Sequence, residues 1–176
     1  MHLLVIDTET SGLDPACNAL IEIGAVLVSP SLEEVGRFQI LVQPCPYLQI
    51  DPESLCISGL SLAELGTKGV PEVDAIAGLS EFVRYPLEGG PVVLAGWNIS
   101  FDQAFLMAAF RRVQIQWPFG HRSLDIQSVW AYANDWDFGG LTKASQKLFG
   151  GGPPHRAMPD ALLTLEVLKR CSRVRR

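Results

Sequence analysis

The order of the apolar segments along the chain restricts its fold more than any other feature. Three strand-like runs come first, over residues 2–6, 19–28 and 34–42, and short turns join them. Such a succession is typical of an antiparallel meander. A continuous apolar run follows at residues 91–96 and predicts a strand that is buried on both faces. Helix-like segments surround it, so the sequence predicts an α/β fold, a mixed sheet with helices packed on its faces.

The second half of the chain alternates between helices and strands. Helical spacing of apolar residues and turn signals predict helices over residues 71–85, 101–113, a stretch ending near 136, 141–149 and 158–171. A further short strand is expected to end near Asp125. Stretches rich in glycine and proline at residues 66–71, 139–140 and 150–154 predict surface loops.

Length and composition indicate one globular domain over residues 1–176. Apolar residues make up 48% of the chain and charged residues only 19%, which argues against intrinsic disorder. The apolar N-terminal run is too short for a membrane span and lacks the basic start of a signal peptide, so we expect a soluble, cytoplasmic protein with no membrane partner. The four cysteines form no C-x-x-C pair, which favours buried thiols over a zinc site or disulfides.

The net charge of −5 is unevenly distributed. Residues 169–176 carry five basic groups and no acidic one, so the rest of the chain has 9 basic and 19 acidic residues, a net charge of −10. That balance argues against a long basic face for duplex DNA and favours a short, local contact with any polyanion. The basic tail is either a nucleic-acid contact or, more commonly for chain ends, a solvated and disordered segment.

A pair of carboxylates stands where the first apolar strand ends. Asp7 and Glu9 are two residues apart, so on a strand both side chains project from the same face. Two charges directly after a buried strand are costly unless a cation meets them. Taken alone, the pair is explained at least as well by a strand end that is simply exposed to water.

Three more polar residues stand at helix starts. Asp102 is expected in the first turn of a helix, where Ser100 and Gln103 have the spacing of a capping box. Asp160 is expected in the first turn of the last helix, and His155 on the loop before it. Each acid alone is explained by the helix dipole. Together with the first pair, however, they fall where the predicted topology brings strand and helix ends together.

Three segments of the chain resemble the exonuclease motifs of the DnaQ-like DEDDh group. They are Asp-Thr-Glu-Thr-Ser-Gly-Leu at residues 7–13, Gly-Trp-Asn-Ile-Ser-Phe-Asp at 96–102, and His-Arg-Ala-Met-Pro-Asp at 155–160. The resemblance implies a ribonuclease H-like fold, a five-stranded mixed sheet whose second strand is antiparallel. Residues 57–60 match a small substrate-contacting turn of that family, although Ser58 departs from its frequent His or Thr.

The resemblance also implies a function: hydrolysis of the terminal phosphodiester at a 3′ end, releasing nucleoside 5′-monophosphates, with two divalent cations, Mg²⁺ or Mn²⁺. The implied metal ligands are Asp7, Glu9, Asp102 and Asp160. The implied general base is His155. The implied substrate contacts are Thr10, Gly12, Leu13, Asn98 and Phe101. For Leu13 and Phe101, packing in the core is an equally good interpretation of the sequence.

Several alternatives stay open at this point. DNA with a single-stranded or frayed 3′ end is the favoured substrate, and an exoribonuclease or oligonucleotide-trimming enzyme with the same site is the main alternative. A non-catalytic nucleic-acid-binding module is less favoured because all five key side-chain types are present. A zinc hydrolase is disfavoured because four carboxylates suit Mg²⁺ or Mn²⁺ better. A polymerase on a separate chain is a candidate partner.

Overall fold

The computed structural model describes residues 1–84, 92–152 and 155–173 and contains one five-stranded sheet. The strands are β1 (His2–Thr10), β2 (Leu20–Val28), β3 (Glu34–Leu41), β4 (Val92–Gly96) and β5 (Ser123–Asp125), in the spatial order β3-β2-β1-β4-β5. β2 runs antiparallel to both β1 and β3, whereas β4 is parallel to β1 and to β5. The predicted ribonuclease H-like mixed sheet with an antiparallel second strand is therefore confirmed.

Seven helices lie within the described residues. They are α1 (Pro52–Ser58), α2 (Leu62–Lys68), α3 (Glu72–Arg84), α4 (Ile99–Arg112), α5 (Ile126–Ala133), α6 (Leu141–Phe149) and α7 (Ala157–Arg173). None of these helices is long and apolar enough to cross a membrane.

The sheet separates two helical layers, and the alternation of side chains along β1 shows how. Leu4 and Ile6 belong to a core shared with α3 and α4, while Leu3 and Val5 belong to a second core shared with α5, α6 and α7. Every residue of β2 is buried, which fits a strand covered on both faces. A third, smaller apolar cluster lies under α1 and α2.

The same topology places the ends of several elements at one edge of the sheet. β1, β4 and β5 are parallel, so their C-terminal ends meet there, and α4 and α5 begin directly after β4 and β5. The start of α7 reaches this edge by packing on Gly24, which pairs with Asp7 across β1 and β2. A Cβ atom at Gly24 would lie 2.2 Å from the backbone nitrogen of Met158, so only glycine allows this approach.

Two short helices were not predicted. α1 and α2 occupy residues that sequence periodicity left unassigned, and the predicted loop at 66–71 is wrong for its first three residues because α2 continues to Lys68. Their ends do carry local signals: Asp51 and Ser61 accept hydrogen bonds from backbone N–H groups at the two helix starts, and Gly59 ends α1 in the left-handed conformation. The predicted substrate-contacting turn at 57–60 is thus the end of α1.

The expected capping box of α4 is also wrong. The helix begins at Ile99, with Asn98 in the cap position, and no side chain caps it within the described residues. The Ser100 hydroxyl donates instead to Asn98 Oδ1 at 3.2 Å. Likewise, the helix expected to run to about residue 136 ends at Ala133, because Asp135 and Trp136 adopt positive φ angles.

Two expectations about chain ends and cysteines need adjustment. α7 extends through the first residues of the basic tail to Arg173, and residues 174–176 lie outside the described part of the chain. The predicted element boundaries at residues 85 and 91, and part of the predicted loop at 150–154, also lie outside it. All four cysteines are free, but only Cys171 is buried, so the expectation of buried thiols is wrong for the other three.

Candidate active site

Three of the predicted metal ligands converge at the edge described above. Asp7 and Glu9 follow Leu3 and Val5 in the alternation of β1, on the face that carries α7. Asp160 lies in the first turn of α7, which Gly24 brings against the sheet. Carboxylate oxygens of Asp7, Glu9 and Asp160 all lie within 4.8 Å of one another. The structure therefore places residues from both ends of the chain around one point.

The fourth acid, Asp102, is fixed from the other side of β1. The backbone N–H and the hydroxyl of Thr8 both donate to Asp102 Oδ1, each at 2.8 Å. Thr8 lies between the two strand acids and points to the opposite face, so it ties the first turn of α4 to β1. Asp102 is outside the group of three, yet its charge is close enough to raise the pKa of Asp7.

The acids of this site have strongly raised pKa values. Burial, followed by the charges of neighbouring carboxylates, holds the pKa of Asp7 well above its ordinary value and raises the pKa of Glu9 to about 8. Burial raises the pKa of Asp102 to about 7, against the lowering effect of the two bonds from Thr8. Burial also raises the pKa of Asp160 to about 6. Three half-buried or buried carboxylates within 4.8 Å of one another, with a fourth nearby, call for added positive charge.

One carboxylate oxygen is a second indication that the site takes up positive charge. Asp160 Oδ1 is buried and has no hydrogen-bond partner among the described residues. Buried polar atoms are normally satisfied, so an atom without a partner calls for a specific explanation, such as an ion. Hard carboxylate oxygens are the ligands that Mg²⁺ and Mn²⁺ prefer, and the donor set therefore fits the predicted cations.

His155 lies beside these acids on the loop that leads into α7. Its side chain is exposed, and its backbone has a φ of +52°, which is uncommon for a residue with a side chain. Its charge is near enough to lower the pKa of Asp160 against the effect of burial. The predicted position, outside the helix but next to its first turn, is the one that the structure shows.

The start of α7 is held by a residue that the sequence did not single out for the site. Glu22 is fully buried on β2, directly opposite Glu9 in the strand pairing. Its carboxylate accepts from Arg156 Nε at 2.8 Å, from Arg156 Nη2 at 3.0 Å and from the backbone N–H of Ala157 at 3.2 Å. Gln39 Nε2 donates to it as well, at 3.0 Å.

The end of β1 and the loop after it carry three of the predicted substrate contacts. The Thr10 hydroxyl donates to the Gly12 carbonyl at 2.7 Å, inside the loop. A Cβ at Gly12 would lie 2.3 Å from the side chain of Asn18, which closes the loop by accepting from the N–H of Asp14 and donating to the carbonyl of Ser11. Leu13 stands 82% exposed at the tip. Core packing is therefore the wrong interpretation for Leu13.

The other two predicted contacts lie at the start of α4. Asn98 is in the left-handed conformation, and its N–H donates to Asp125 Oδ1 at 2.9 Å, which joins the ends of β4 and β5. Phe101 is half-buried, with its ring centroid 5.0 Å from that of Phe105 in the core. Core packing thus accounts for part of Phe101. The Ser58 hydroxyl is already bonded to carbonyls of α1.

A model of the exonuclease family matches residues 4–168 of the chain, nearly its whole length. The chain belongs to the exonuclease family. A ribonuclease T of Haemophilus influenzae is 30% identical over 130 residues, which cover 66% of this chain and 56% of that protein. The 3′-5′ DNA exonuclease Cap18 of Escherichia coli is 32% identical over 126 residues, or 71% of this chain and 65% of that protein. The chain thus spans less than two thirds of the length of either relative.

A solved structure has the same architecture as this exonuclease-family chain. The crystal structure of E. coli exonuclease I in complex with a dT13 oligonucleotide has a TM-score of 0.78, and the match covers 96% of this chain and 40% of that one. The sequences are 21% identical, so the likeness concerns the fold.

Two site residues of this exonuclease fold were missed in the sequence, one with a weak signal and one with none. Glu22 is the single charged residue in an apolar nine-residue strand, and a lone buried charge of this kind needs a partner. Thr8 has no signal of its own, because its partner Asp102 is 94 positions away.

Proposed function

We propose that this chain is a metal-dependent 3′→5′ exonuclease that removes nucleoside 5′-monophosphates from the 3′ end of nucleic acid. The observation that carries the proposal is the convergence of Asp7, Glu9 and Asp160 within 4.8 Å, with raised pKa values and a buried Asp160 oxygen that lacks a partner among the described residues. A folding role alone does not explain this group, because mutual repulsion of carboxylates that are partly or fully shielded from water destabilises the fold.

Asp7, Glu9, Asp102 and Asp160 are the residues that would hold two divalent cations, Mg²⁺ or Mn²⁺. Bound there, the cations supply Lewis-acid stabilisation of the scissile phosphate and of the leaving 3′ oxygen. Asp102 contributes from the α4 side, where Thr8 restricts Oδ1 and so fixes the direction of the carboxylate. Four carboxylates with a single nearby histidine favour Mg²⁺ or Mn²⁺ over zinc.

His155 is the proposed general base. Its imidazole is exposed to solvent at the mouth of the acidic site and adjoins Asp160, so it can take the proton from the water that attacks the phosphorus. The proton can then leave through solvent, because His155 is exposed. As the water oxygen bonds to phosphorus, the bond between phosphorus and the 3′ oxygen breaks and the leaving 3′ oxygen takes up a proton from solvent, so the chain end is shortened by one nucleotide.

The terminal nucleotide is proposed to lie between the loop after β1 and the start of α4. Leu13 projects an apolar side chain that a base can cover, and the closed loop around Asn18 holds it in place. Asn98, Phe101, Thr10 and the backbone at Gly12 complete the contacts. Such apolar contact with a base is independent of its sequence.

DNA is the proposed substrate, and RNA is the alternative. One relative is named a DNA exonuclease and another a ribonuclease. The 2′-hydroxyl distinguishes the two polymers, so matched DNA and RNA oligomers of one sequence decide between them. A faster release from DNA supports the favoured substrate, and a faster release from RNA replaces it.

A labelled oligonucleotide tests the proposal directly. With Mg²⁺ or Mn²⁺, the protein should shorten a 5′-labelled single strand from its 3′ end, and Asp7→Asn should abolish this shortening. Asp135→Asn is the matched control, because Asp135 is exposed and asparagine also tolerates its positive φ. Shortening by Asp7→Asn at the wild-type rate would remove Asp7 from the site.

The cysteines bear on the cellular setting. We propose a cytoplasmic location, because all four cysteines are free. A separate polymerase chain is the proposed partner, and co-purification of tagged protein with a polymerase subunit tests that proposal.

A further inference from the structure

Glu22 is an acid of the site that is not placed to bind a cation. It lies opposite Glu9 in the pairing of β1 and β2, and its charge raises the pKa values of Asp7, Glu9 and Asp160. A fully buried carboxylate that worsens this repulsion is costly to keep. Both of its oxygens, however, are directed to Arg156, Ala157 and Gln39.

The partners of Glu22 are the residues that lead from His155 into α7. Arg156 directly follows His155, and its carbonyl accepts the N–H of Asp160 at 3.0 Å, the first bond of the helix. The N–H of Ala157 would have no partner within its own helix, since the first N–H groups of a helix never do. Glu22 therefore caps α7 from a neighbouring strand, across 135 positions of sequence.

The contact of Glu22 with Arg156 has the geometry of a strong pair. Two nitrogens of the guanidinium reach two oxygens, at 2.8 and 3.0 Å, and the carboxylate is completely shielded from solvent. A two-point contact fixes the orientation of the guanidinium as well as its distance. Because Arg156 is held in this way, the backbone on either side of it is held too.

We propose that Glu22 is a positioning residue that, through Arg156 and the N–H of Ala157, holds His155 and Asp160 in register with the acids of β1. The proposal rests on the proposed function of the same site. The buried side chain of Glu22 thus aligns the general base, which lies on a loop, with the metal ligands on a strand. Residues that orient ligands in this way typically change activity by about 10- to 100-fold when they are replaced.

Glu22→Gln is the test variant. Glutamine keeps the shape of the side chain but replaces one of the two carboxylate oxygens with an NH₂ group, which cannot accept hydrogen bonds. The bonds that Arg156 or Ala157 donates to that oxygen are therefore lost. We expect kcat to fall by about 10- to 100-fold while KM for the oligonucleotide stays within about threefold. Mn²⁺ should still bind, although up to about 10- to 100-fold more weakly, because Asp7, Glu9 and Asp160 remain but Asp160 is held less firmly.

Glu72→Gln is the matched control. Glu72 forms the same kind of buried two-point pair with Arg112, at 3.0 and 2.7 Å. This pair lies ten residues along α4 from Asp102, or about 15 Å. Its loss should lower the melting temperature without changing kcat, which separates a general folding effect from an effect on the site.

A spectroscopic readout makes the test independent of turnover. The chain has three histidines. The NMR signal of the His155 ring can be assigned by comparing the NMR spectrum of the wild-type protein with that of His155→Gln. In Glu22→Gln the His155 signal of the metal-free protein should shift or broaden, while the signal of the exposed His121 stays in place. A metal-free comparison remains informative even if the wild-type protein shows no exonuclease activity, so failure of the proposed function and of this inference are distinguishable.

Three results would overturn the inference. The first is a Glu22→Gln protein with wild-type kcat, and the second is an unmoved His155 signal. The third is complete loss of Mn²⁺ binding in that variant, which would make Glu22 a ligand instead. If Glu22→Gln does not fold, Arg156→Lys replaces it, because lysine keeps the charge but not the two-point contact. Wild-type kcat in Arg156→Lys would overturn the inference equally.

Discussion

The hydroxyl of Thr8 is the contact whose removal gives the sharpest prediction. Thr8→Val keeps the size and the strand preference of the side chain but deletes one of the two donors to Asp102 Oδ1, the bond of 2.8 Å. The backbone donor stays in place. Since burial holds the pKa of Asp102 at about 7 against the effect of these bonds, losing one of them raises that pKa further.

The size of the effect follows from the type of bond. A hydrogen bond to a charged group contributes about 1.5–3 kcal/mol. The remaining N–H bond compensates in part, which favours the lower end of that range. About 1.4 kcal/mol corresponds to a factor of ten in an equilibrium constant. Cations bind the charged form of Asp102, so the Mg²⁺ concentration that gives half-maximal activity should rise about tenfold in Thr8→Val.

The assay is release of mononucleotide from a single strand at varied Mg²⁺ concentration, at pH 7 and at pH 8.5. The defect should be larger at pH 7, because protons compete with the cation for Asp102 more strongly there. Thr8→Ser keeps the hydroxyl and should stay close to wild type. A Thr8→Val protein with the wild-type Mg²⁺ dependence at both pH values would refute the role of this bond.

Three further predictions concern the helix α7, the base and the acids. Gly24→Ala should destabilise the protein by about 1–3 kcal/mol in urea unfolding, because its Cβ would lie 2.2 Å from a backbone atom of α7. Gly66→Ala is the control and should be neutral or stabilising, because nothing lies within 4 Å of a Cβ at that position. Equal effects of the two substitutions would contradict the packing of α7 on Gly24. His155→Gln should lose most of kcat and keep oligonucleotide binding by fluorescence anisotropy, whereas loss of binding alone would make His155 a substrate contact. Without cations the melting temperature should fall as the pH rises from 5 to 8. The folded pKa values are about 8 for Glu9, 7 for Asp102 and 6 for Asp160. In this pH range the folded protein therefore binds protons that the unfolded chain has released, and stability is lost as the three acids ionise. Added Mn²⁺ should reverse that fall, and a melting temperature independent of pH would contradict the raised pKa values.

The sheet and its acids could be predicted because their signals are local. The apolar runs of β1, β2 and β4 show their burial directly, and Asp7 and Glu9 share a face through the two-residue period of a strand. α1 and α2 were missed because seven residues make too few turns for a helical period to be recognised, although Asp51 and Ser61 marked their starts.

Long-range polar contacts could not be predicted in the same way. The bonds from Thr8 to Asp102 and from Arg156 to Glu22 join residues 94 and 134 positions apart, and neither pair has a local pattern. The close approach of α7 to Gly24 is likewise a property of packing. The sequence thus predicted the groups to which the proposed chemistry is assigned, while the structure was needed to find the residues that hold them in position.

A crystal of the protein soaked with Mn²⁺ and a nucleoside 5′-monophosphate tests the central claim most directly. Anomalous scattering should place manganese between Asp7, Glu9 and Asp160, with Asp102 completing the ligands and the phosphate of the nucleotide on the metal beside His155. Asp160 Oδ1 should then have the partner that it lacks among the described residues. Nucleotide and manganese bound elsewhere on the protein, with these four acids free of metal, would contradict the account.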